Sequence, residues 1–477
     1  MIRLTKQPRL VWLATLAILL SFLCSPATAG DPRRQWRDEI VYVIIVQKFC
    51  NGDPANDVML RRYGQDRAQY EGGFWGGDLA GIIQKLDYLE SLGVTTLLLY
   101  PVMANDRGPF GKYLATGYRP RDYFQVDENF GDLVTLKDLV QRAHQRQLRV
   151  MLDLPLGMAG PEHPFRRNPS KKDWFGKPTP YGVSQWNADR PEVAEYLLKI
   201  SRFWRDETGC DGFRLDSASL HSDAFWANYA HALRDAAHPD FWLLGEVPLH
   251  PSKIGQFLTA TKFDSAYDFS TTTAREVFGK GLPLGKLSFV LREAKQYYPD
   301  PQCLCAQLDN YEKPTLASVV HEPKEARMRL ALAFQMTVDR VPLIYTGDEA
   351  GADYHEVGAL FKPPLSASPI HGWMKSLISL RKAQPALRRG EFTEIFSREP
   401  IYAFLRTSGE RRVLVVLNNS ADRQEVSFAV AGKPWRDSVL EDLHTGQAAK
   451  LFGVTGPLTI EPFGTRILAV RFPEAAK

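Results

Sequence analysis

Short apolar runs alternate with amphipathic stretches from residue 39 to about residue 385. Residues 40–49 form a β-branched run that predicts a first strand. Residues 79–92 carry Ile82, Ile83, Leu86 and Leu89 at helical spacing, and Gly93 closes the helix. A strand is expected at 95–100, a helix at 136–147 and a third strand at 149–154. A proline- and charge-rich stretch over 155–190 interrupts this rhythm as a short excursion. The alternation resumes with a helix at 193–205, a strand ending at Asp216, a helix at 225–236 and a strand ending at Glu246. Later strands are expected at 263–267, across 315–320 with the segment before it, and at 342–345. Roughly eight such repeats predict an α/β fold, a (β/α)8 TIM barrel. Past residue 389 the helices stop. Strand patterns at 401–406, 413–418, 424–430 and 465–471 predict a C-terminal antiparallel β-sandwich.

The first 29 residues belong to neither unit. Arg3, Lys6 and Arg9 precede an apolar core over 11–23, and Ala27-Thr28-Ala29 offers small residues for cleavage. That core is too short for a membrane span. The expected organisation is therefore a signal peptide at 1–29, a barrel over 30–390 and a sandwich over 391–477. Export to the periplasm or the medium follows. Loss of the three leader bases takes the formal charge from +4 to +1, with 56 basic against 55 acidic residues. No basic run stands out, so the sequence gives no support to nucleic-acid binding. Cys50, Cys210, Cys303 and Cys305 remain, and an oxidising compartment allows one or two disulfides of undetermined pairing.

The candidate chemistry lies at two strand ends. In Gly212-Phe213-Arg214-Leu215-Asp216, strand alternation puts Arg214 and Asp216 on one face. A guanidinium beside a carboxylate favours the ionised form that a nucleophile needs. Leu243-Leu244-Gly245-Glu246 brings a second carboxyl out of an apolar strand, where the protonated form is favoured. Two carboxyls with split roles are the machinery of retaining glycoside hydrolysis. Trp75, Trp174 and Trp186 are candidate sugar-stacking faces or packing residues. Asn51, Asp53, Asn56 and Asp57 crowd one turn, with Gly76 and Asp78 following the next glycines. Spacing alone describes an Asx-rich turn or an oxygen-rich cation loop equally well.

Over roughly residues 36–475 the chain resembles the alpha-amylase family, glycoside hydrolase family 13, and within it the neopullulanase and cyclomaltodextrinase branch. The resemblance rests on Gly76-Gly77-Asp78-Leu79, Leu86-Asp87-Tyr88-Leu89, Gly117-Tyr118, Asp122-Tyr123, Val126-Asp127 and Asn129-Phe130-Gly131. It continues through Tyr345-Thr346-Gly347-Asp348-Glu349 and Pro462-Phe463-Gly464-Thr465-Arg466. It implies that Asp216 is the nucleophile, Arg214 its partner and Glu246 the general acid/base. By the same resemblance Tyr118 stacks on the sugar, Asp153 organises the site, and Glu312 is the third catalytic carboxylate. Asn310 and Tyr311 would then line the substrate. The oxygen-rich turn resembles the branch's calcium loop, which implies a structural Ca2+ held by Asn51, Asp53, Asn56, Asp57, Gly76 and Asp78.

Three motifs depart from the family pattern. Gly157-Met158 stand where Asn-His is usual, and Ser219-Leu220 where Lys-His often follows the nucleophile. Asp309-Asn310-Tyr311-Glu312 replaces Asp-Asn-His-Asp. At about 1–3 kcal/mol per lost contact, three missing histidine contacts amount to roughly two to six orders of magnitude in rate. The expected function is an exported retaining α-glycosidase that hydrolyses or transglycosylates α-linked gluco-oligosaccharides. The alternatives are a carbohydrate- or partner-binding protein on the same scaffold, and an enzyme for another glycoside.

Overall fold

The computed structural model describes residues 35–63, 75–106, 117–180, 182–310, 312–353, 356–426, 438–450 and 458–471. The leader, Tyr311 and part of the strand expected at 424–430 lie outside them. Eight parallel strands close a barrel: β1 (Val41–Ile44), β2 (Thr96–Leu99), β3 (Arg149–Leu154), β4 (Gly212–Leu215), β5 (Trp242–Gly245), β6 (Ser265–Asp268), β7 (Cys305–Gln307) and β8 (Val341–Tyr345). Each strand pairs with its sequence neighbour, and β8 pairs with β1 to close the ring.

Alternation divides the strand residues between two cores. Val41, Val43, Leu98, Met151, Leu244, Val341 and Leu343 fill the interior. Tyr42, Leu97, Leu99, Leu152, Phe213 and Leu243 face the helical layer. Trp36 and Trp242 meet edge to face at 4.7 Å within the interior core, and the Arg149 guanidinium lies 3.9 Å from the Trp242 ring. The interior is therefore packed, and ligand access is restricted to the strands' exit end.

Local signals decide where several elements stop. The helix expected over 79–92 is two segments, Leu79–Gln84 and Leu86–Leu92, broken at Lys85. Gly93 ends the second with φ +96, a left-handed conformation that glycine adopts without a Cβ penalty. The strand expected across 315–320 is a short helix, Leu316–Val319. Thr315 accepts the Ser318 N–H as its N-cap, and that local bond overrides the β-branched run. The strand of this region is Cys305–Gln307, just before it. Among the described residues, Cys50, Cys210, Cys303 and Cys305 are free thiols.

The C-terminal unit holds a six-stranded sheet that includes antiparallel Glu391–Arg398, Ile401–Ser408, Arg411–Asn418 and Thr465–Arg471. A separate pair, Gln424–Val426 with Leu458–Ile460, supplies further apolar groups to its core. Among the described residues no helix is long and apolar enough to cross a membrane.

Candidate active site

Register brings the acidic groups together. Asp153 of β3 stands opposite Arg214 of β4, and Gly245 of β5 stands opposite Leu215. Asp216 and Glu246 therefore leave adjacent strands at the same level. Arg214 is 1 % exposed and joins the groups around it. Its Nη1 donates to Asp153 Oδ2 and Asp216 Oδ1, both at 2.7 Å, and to the Tyr118 hydroxyl at 3.1 Å. Its Nη2 lies 2.8 Å from Glu246 Oε2. Two carboxyl groups on adjacent nitrogens of one guanidinium are within a few ångströms of each other. A retaining mechanism needs two carboxyls that share one site in this way.

One cation faces three carboxyl groups, so full ionisation would leave uncompensated negative charge in a buried site. A retained proton resolves this. Burial raises Glu246 to about 8, with the Asp216 charge adding to the rise and Arg214 opposing it. Both of its contacts, from Arg214 and from the Ser217 N–H at 3.0 Å, fall on Oε2. The proton of its acid form therefore belongs on Oε1. Burial also pushes Asp153 up to about 7 against the pull of Arg214. Tyr118 donates its hydroxyl to Asp153 Oδ2, while Asp153 Oδ1 is buried without a hydrogen-bond partner among the described residues.

Ser217, absent from the sequence reading, matters through its backbone. Its φ of +50 is left-handed, a strained choice for a non-glycine residue. That turn aims its N–H at Glu246, and the Ala218 N–H meets the Glu246 carbonyl at 2.8 Å. A positive φ after an apolar strand has no signature in a serine side chain. Tyr267 was also missed; its ring lies 5.4 Å from the Arg214 guanidinium, with Tyr118 at 5.7 Å.

Other expected site residues stand apart. Glu312 is exposed on the loop after β7 and is not among the groups gathered on Arg214. Asn310 Oδ1 accepts the N–H groups of Glu312 and Lys313, closing its own turn. Trp174 and Trp186 are 7 % and 0 % exposed and pack with His163 or Phe165 and Tyr196. They are core residues of the excursion. Trp75 is half-buried against Gly358.

Two of the motif departures meet in space. A Cβ on Gly157 would lie 3.2 Å from a Leu220 methyl, so Leu220 occupies the room that a larger residue at 157 would need. Gln185 donates to the Leu220 carbonyl, and His221 Nε2 lies 3.0 Å from the Leu156 carbonyl. These contacts tie the post-β4 loop to the excursion. Between them is a cavity of about 230 Å³ whose lining includes Phe175, Asn187 and Asp189.

The oxygen-rich loop gathers as expected, with divided roles. Asp78 accepts from the Gly52, Asp53 and Gly81 N–H groups and from the Asn56 amide. Asp53 accepts from the Ala55 N–H. These two acids organise backbone. Asn51 donates to both Asp57 oxygens, whereas Asn51 Oδ1 and Asn56 Oδ1 are buried without hydrogen-bond partners among the described residues. Gly76, at φ +74, lies so close that a Cβ would fall 2.4 Å from both Asn51 and Asp57. Buried, unpaired amide oxygens beside a carboxylate and a close backbone fit a hard cation. Among the described residues no group of three or more His, Cys, Asp or Glu side chains could hold a metal. A cation here depends on amide and carbonyl oxygens.

Comparison with known proteins agrees with this geometry. The profile described as alpha amylase, catalytic domain, matches residues 43–185 and 168–362. The profile for the maltogenic amylase C-terminal domain matches residues 391–467. Neopullulanase 2 of Thermoactinomyces vulgaris is 31% identical over 475 residues, covering 91% of this chain and 78% of the relative. A cyclomaltodextrinase of a Bacillus species is 33% identical over 433 residues, covering 83% and 75%. The crystal structure of an alpha-amylase from Geobacillus thermoleovorans, complexed with acarbose, superposes with a TM-score of 0.80 at 27% identity, covering 92% of this chain and all of that one.

Proposed function

This chain belongs to the alpha-amylase family of glycoside hydrolases, and from that premise we propose that it is an exported retaining α-glycosidase acting on α-linked gluco-oligosaccharides. Asp216 attacks the anomeric carbon while Glu246, in its acid form, protonates the leaving oxygen. Glu246 then takes a proton from water as that water attacks the anomeric carbon, breaking the ester bond to Asp216 and freeing the sugar; a sugar hydroxyl in place of water gives transglycosylation. Arg214 orients both carboxyls, Asp153 offers its unpaired oxygen to a sugar hydroxyl, and Tyr118 presents its ring. Glu312, on the loop after β7, swings toward bound sugar and stabilises the oxocarbenium-like state.

One observation carries the reading: a single buried guanidinium holds Asp153, Asp216 and Glu246 together at the barrel mouth. Relatives named neopullulanase and cyclomaltodextrinase, and the acarbose of the Geobacillus structure, support α-glucans as substrates. The leader-like first 29 residues support export. A calcium ion would be held by Asn51, Asn56, Asp57 and the Gly76 carbonyl, with Asp53 and Asp78 ordering the loop. It would supply structural cross-linking of the segment after β1 and take no part in bond cleavage.

A second reading, sugar binding without turnover, draws on the exposed Glu312 and on Leu220 and Gly157 in place of polar residues. An assay on maltooligosaccharides, cyclodextrins and aryl α-glucosides separates the two, with Glu246→Gln as control. Turnover reduced about 10²–10⁴-fold by the substitution supports the enzyme. Sugar binding by a wild-type chain that never turns over would sink it.

A further inference from the structure

The turn that follows Asp216 is strained, and its neighbours hold it there. Ser217 has φ +50 and ψ +42, a left-handed backbone that a non-glycine residue keeps only where contacts over-determine it. The Asp216 N–H donates to the Leu154 carbonyl of β3 at 3.2 Å, and the Leu220 N–H donates to the Ser217 carbonyl at 2.9 Å. The Ala218 N–H donates to the Glu246 carbonyl at 2.8 Å, and the Trp226 indole to the Ala218 carbonyl at 2.7 Å. Among the described residues the Ser217 hydroxyl makes no hydrogen bond, so the side chain supplies no reason for the conformation.

The conformation has a use on the other side of the cleft. Left-handed φ and ψ at Ser217 turn two successive N–H groups, its own and that of Ala218, toward Glu246; an extended backbone would point them to opposite sides. The Ser217 N–H reaches Glu246 Oε2 at 3.0 Å, the same oxygen that Arg214 Nη2 approaches to 2.8 Å. Two donors on one oxygen fix the carboxyl and leave Oε1 to carry the proton. The other titratable groups acting on Glu246 are Arg214 and Asp216 at the end of β4, Asp153 of β3, Tyr100 just past β2 and Tyr267 of β6. Ser217 adds a neutral donor to this charged set.

We propose that Ser217 is a positioning residue whose left-handed backbone holds Glu246 Oε2, so that Oε1 both gives the proton to the leaving oxygen and takes one back from water. Its bearing on turnover rests on the proposed role of Glu246 as general acid/base. The backbone does this work and the hydroxyl does not. Glycine should therefore serve at position 217, and a β-branched residue, which resists positive φ, should not.

Carbon-13 NMR of the glutamate carboxyls in the full chain tests this without any turnover, the Glu246 signal being assigned by its loss in Glu246→Gln. Ser217→Thr keeps a hydroxyl but opposes the turn. With the N–H withdrawn from the ionised carboxyl, the Glu246 midpoint should rise by about one pH unit. Ser217→Gly drops the hydroxyl and keeps the turn, and its midpoint should match wild type. In kinetics, Ser217→Thr should lose at least about tenfold in kcat/KM on an unactivated α-glucoside. On α-glucosyl fluoride, whose leaving group needs no proton, it should stay within about threefold of wild type. The wild-type Ser217 amide proton should shift downfield with the Glu246 midpoint and stay flat in Glu246→Gln, a reading that carries the test if Ser217→Thr does not fold. A Ser217 amide indifferent to Glu246, an unmoved midpoint in Ser217→Thr, or an equal rise in Ser217→Gly overturns the assignment. Equal losses on both substrates overturn it too, because they reveal general damage to the site. A wild type that turns over neither substrate would remove the proposed role of Glu246, and the midpoint and amide shifts would still decide whether Ser217 holds Oε2.

Discussion

Arg214→Lys tests the site's organisation most sharply, because it keeps the charge and removes the fork. In the wild type two nitrogens divide the work, Nη1 on Asp153, Asp216 and Tyr118 and Nη2 on Glu246. A lysine has one ammonium on a shorter reach and cannot span Asp216 and Glu246 together. At least one charge-assisted bond is lost, at about 1.5–3 kcal/mol. A buried carboxyl left without its partner brings the destabilisation to about 3–5 kcal/mol. Displacement of the nucleophile by about 1 Å costs about 10²-fold in rate. The variant should therefore fold at 25 °C, unfold at lower urea concentration by that free energy, and lose at least about 10²-fold in kcat/KM on an aryl α-maltoside. A lysine enzyme within about fivefold of wild type, less than about 1 kcal/mol in transition-state energy, would refute the reasoning.

Four further outcomes follow from the same geometry. The kcat/KM of an unactivated α-glucoside should decline as pH rises through about 8, where Glu246 gives up its proton. The limb should vanish with α-glucosyl fluoride, whose leaving group needs no protonation; its persistence would assign it elsewhere. Because Glu246 and Asp153 hold protons more tightly folded than unfolded, the unfolding free energy should fall as pH rises from the ordinary carboxylate range to about 7 and 8. Denaturation midpoints across that range check this, and Glu246→Gln should flatten the slope. Chelation should lower Tm, calcium at about 100 times its Kd should restore about 2.7 kcal/mol, and Asn51→Ala or Asp57→Ala should abolish the response. Gly76→Ala, forced into a left-handed φ against Asn51 and Asp57, should cost more than about 1 kcal/mol; an unchanged midpoint would show the approach to be slack.

The barrel was legible because its period is local: strand and helix alternate every few residues, and each presents its apolar face in sequence. Arg214, Asp216 and Glu246 were legible for a related reason, since strand alternation and a strand-end carboxyl follow from neighbouring residues alone. Thr315 marks where this fails. Its N-cap bond to Ser318 turns a β-branched run into helix, a competition between two local preferences that composition does not decide. Trp174 and Trp186 mark a second limit, because whether an aromatic faces solvent depends on Tyr196 and His163, distant from one or both in sequence. The left-handed Ser217 arises from tertiary closure, which brings β4 to β5. The Gly157–Leu220 contact joins two motif departures that the sequence shows separately.

The central claim is that Asp216 forms a bond to sugar. Incubation with a fluorinated, activated α-glucosyl donor whose second step is slow, followed by proteolysis and peptide mass spectrometry, tests it directly. The account predicts one glycosyl adduct on the peptide containing Asp216, absent from Asp216→Asn. An adduct on another carboxylate, or substrate turned over with no ester ever accumulating on Asp216, would contradict it.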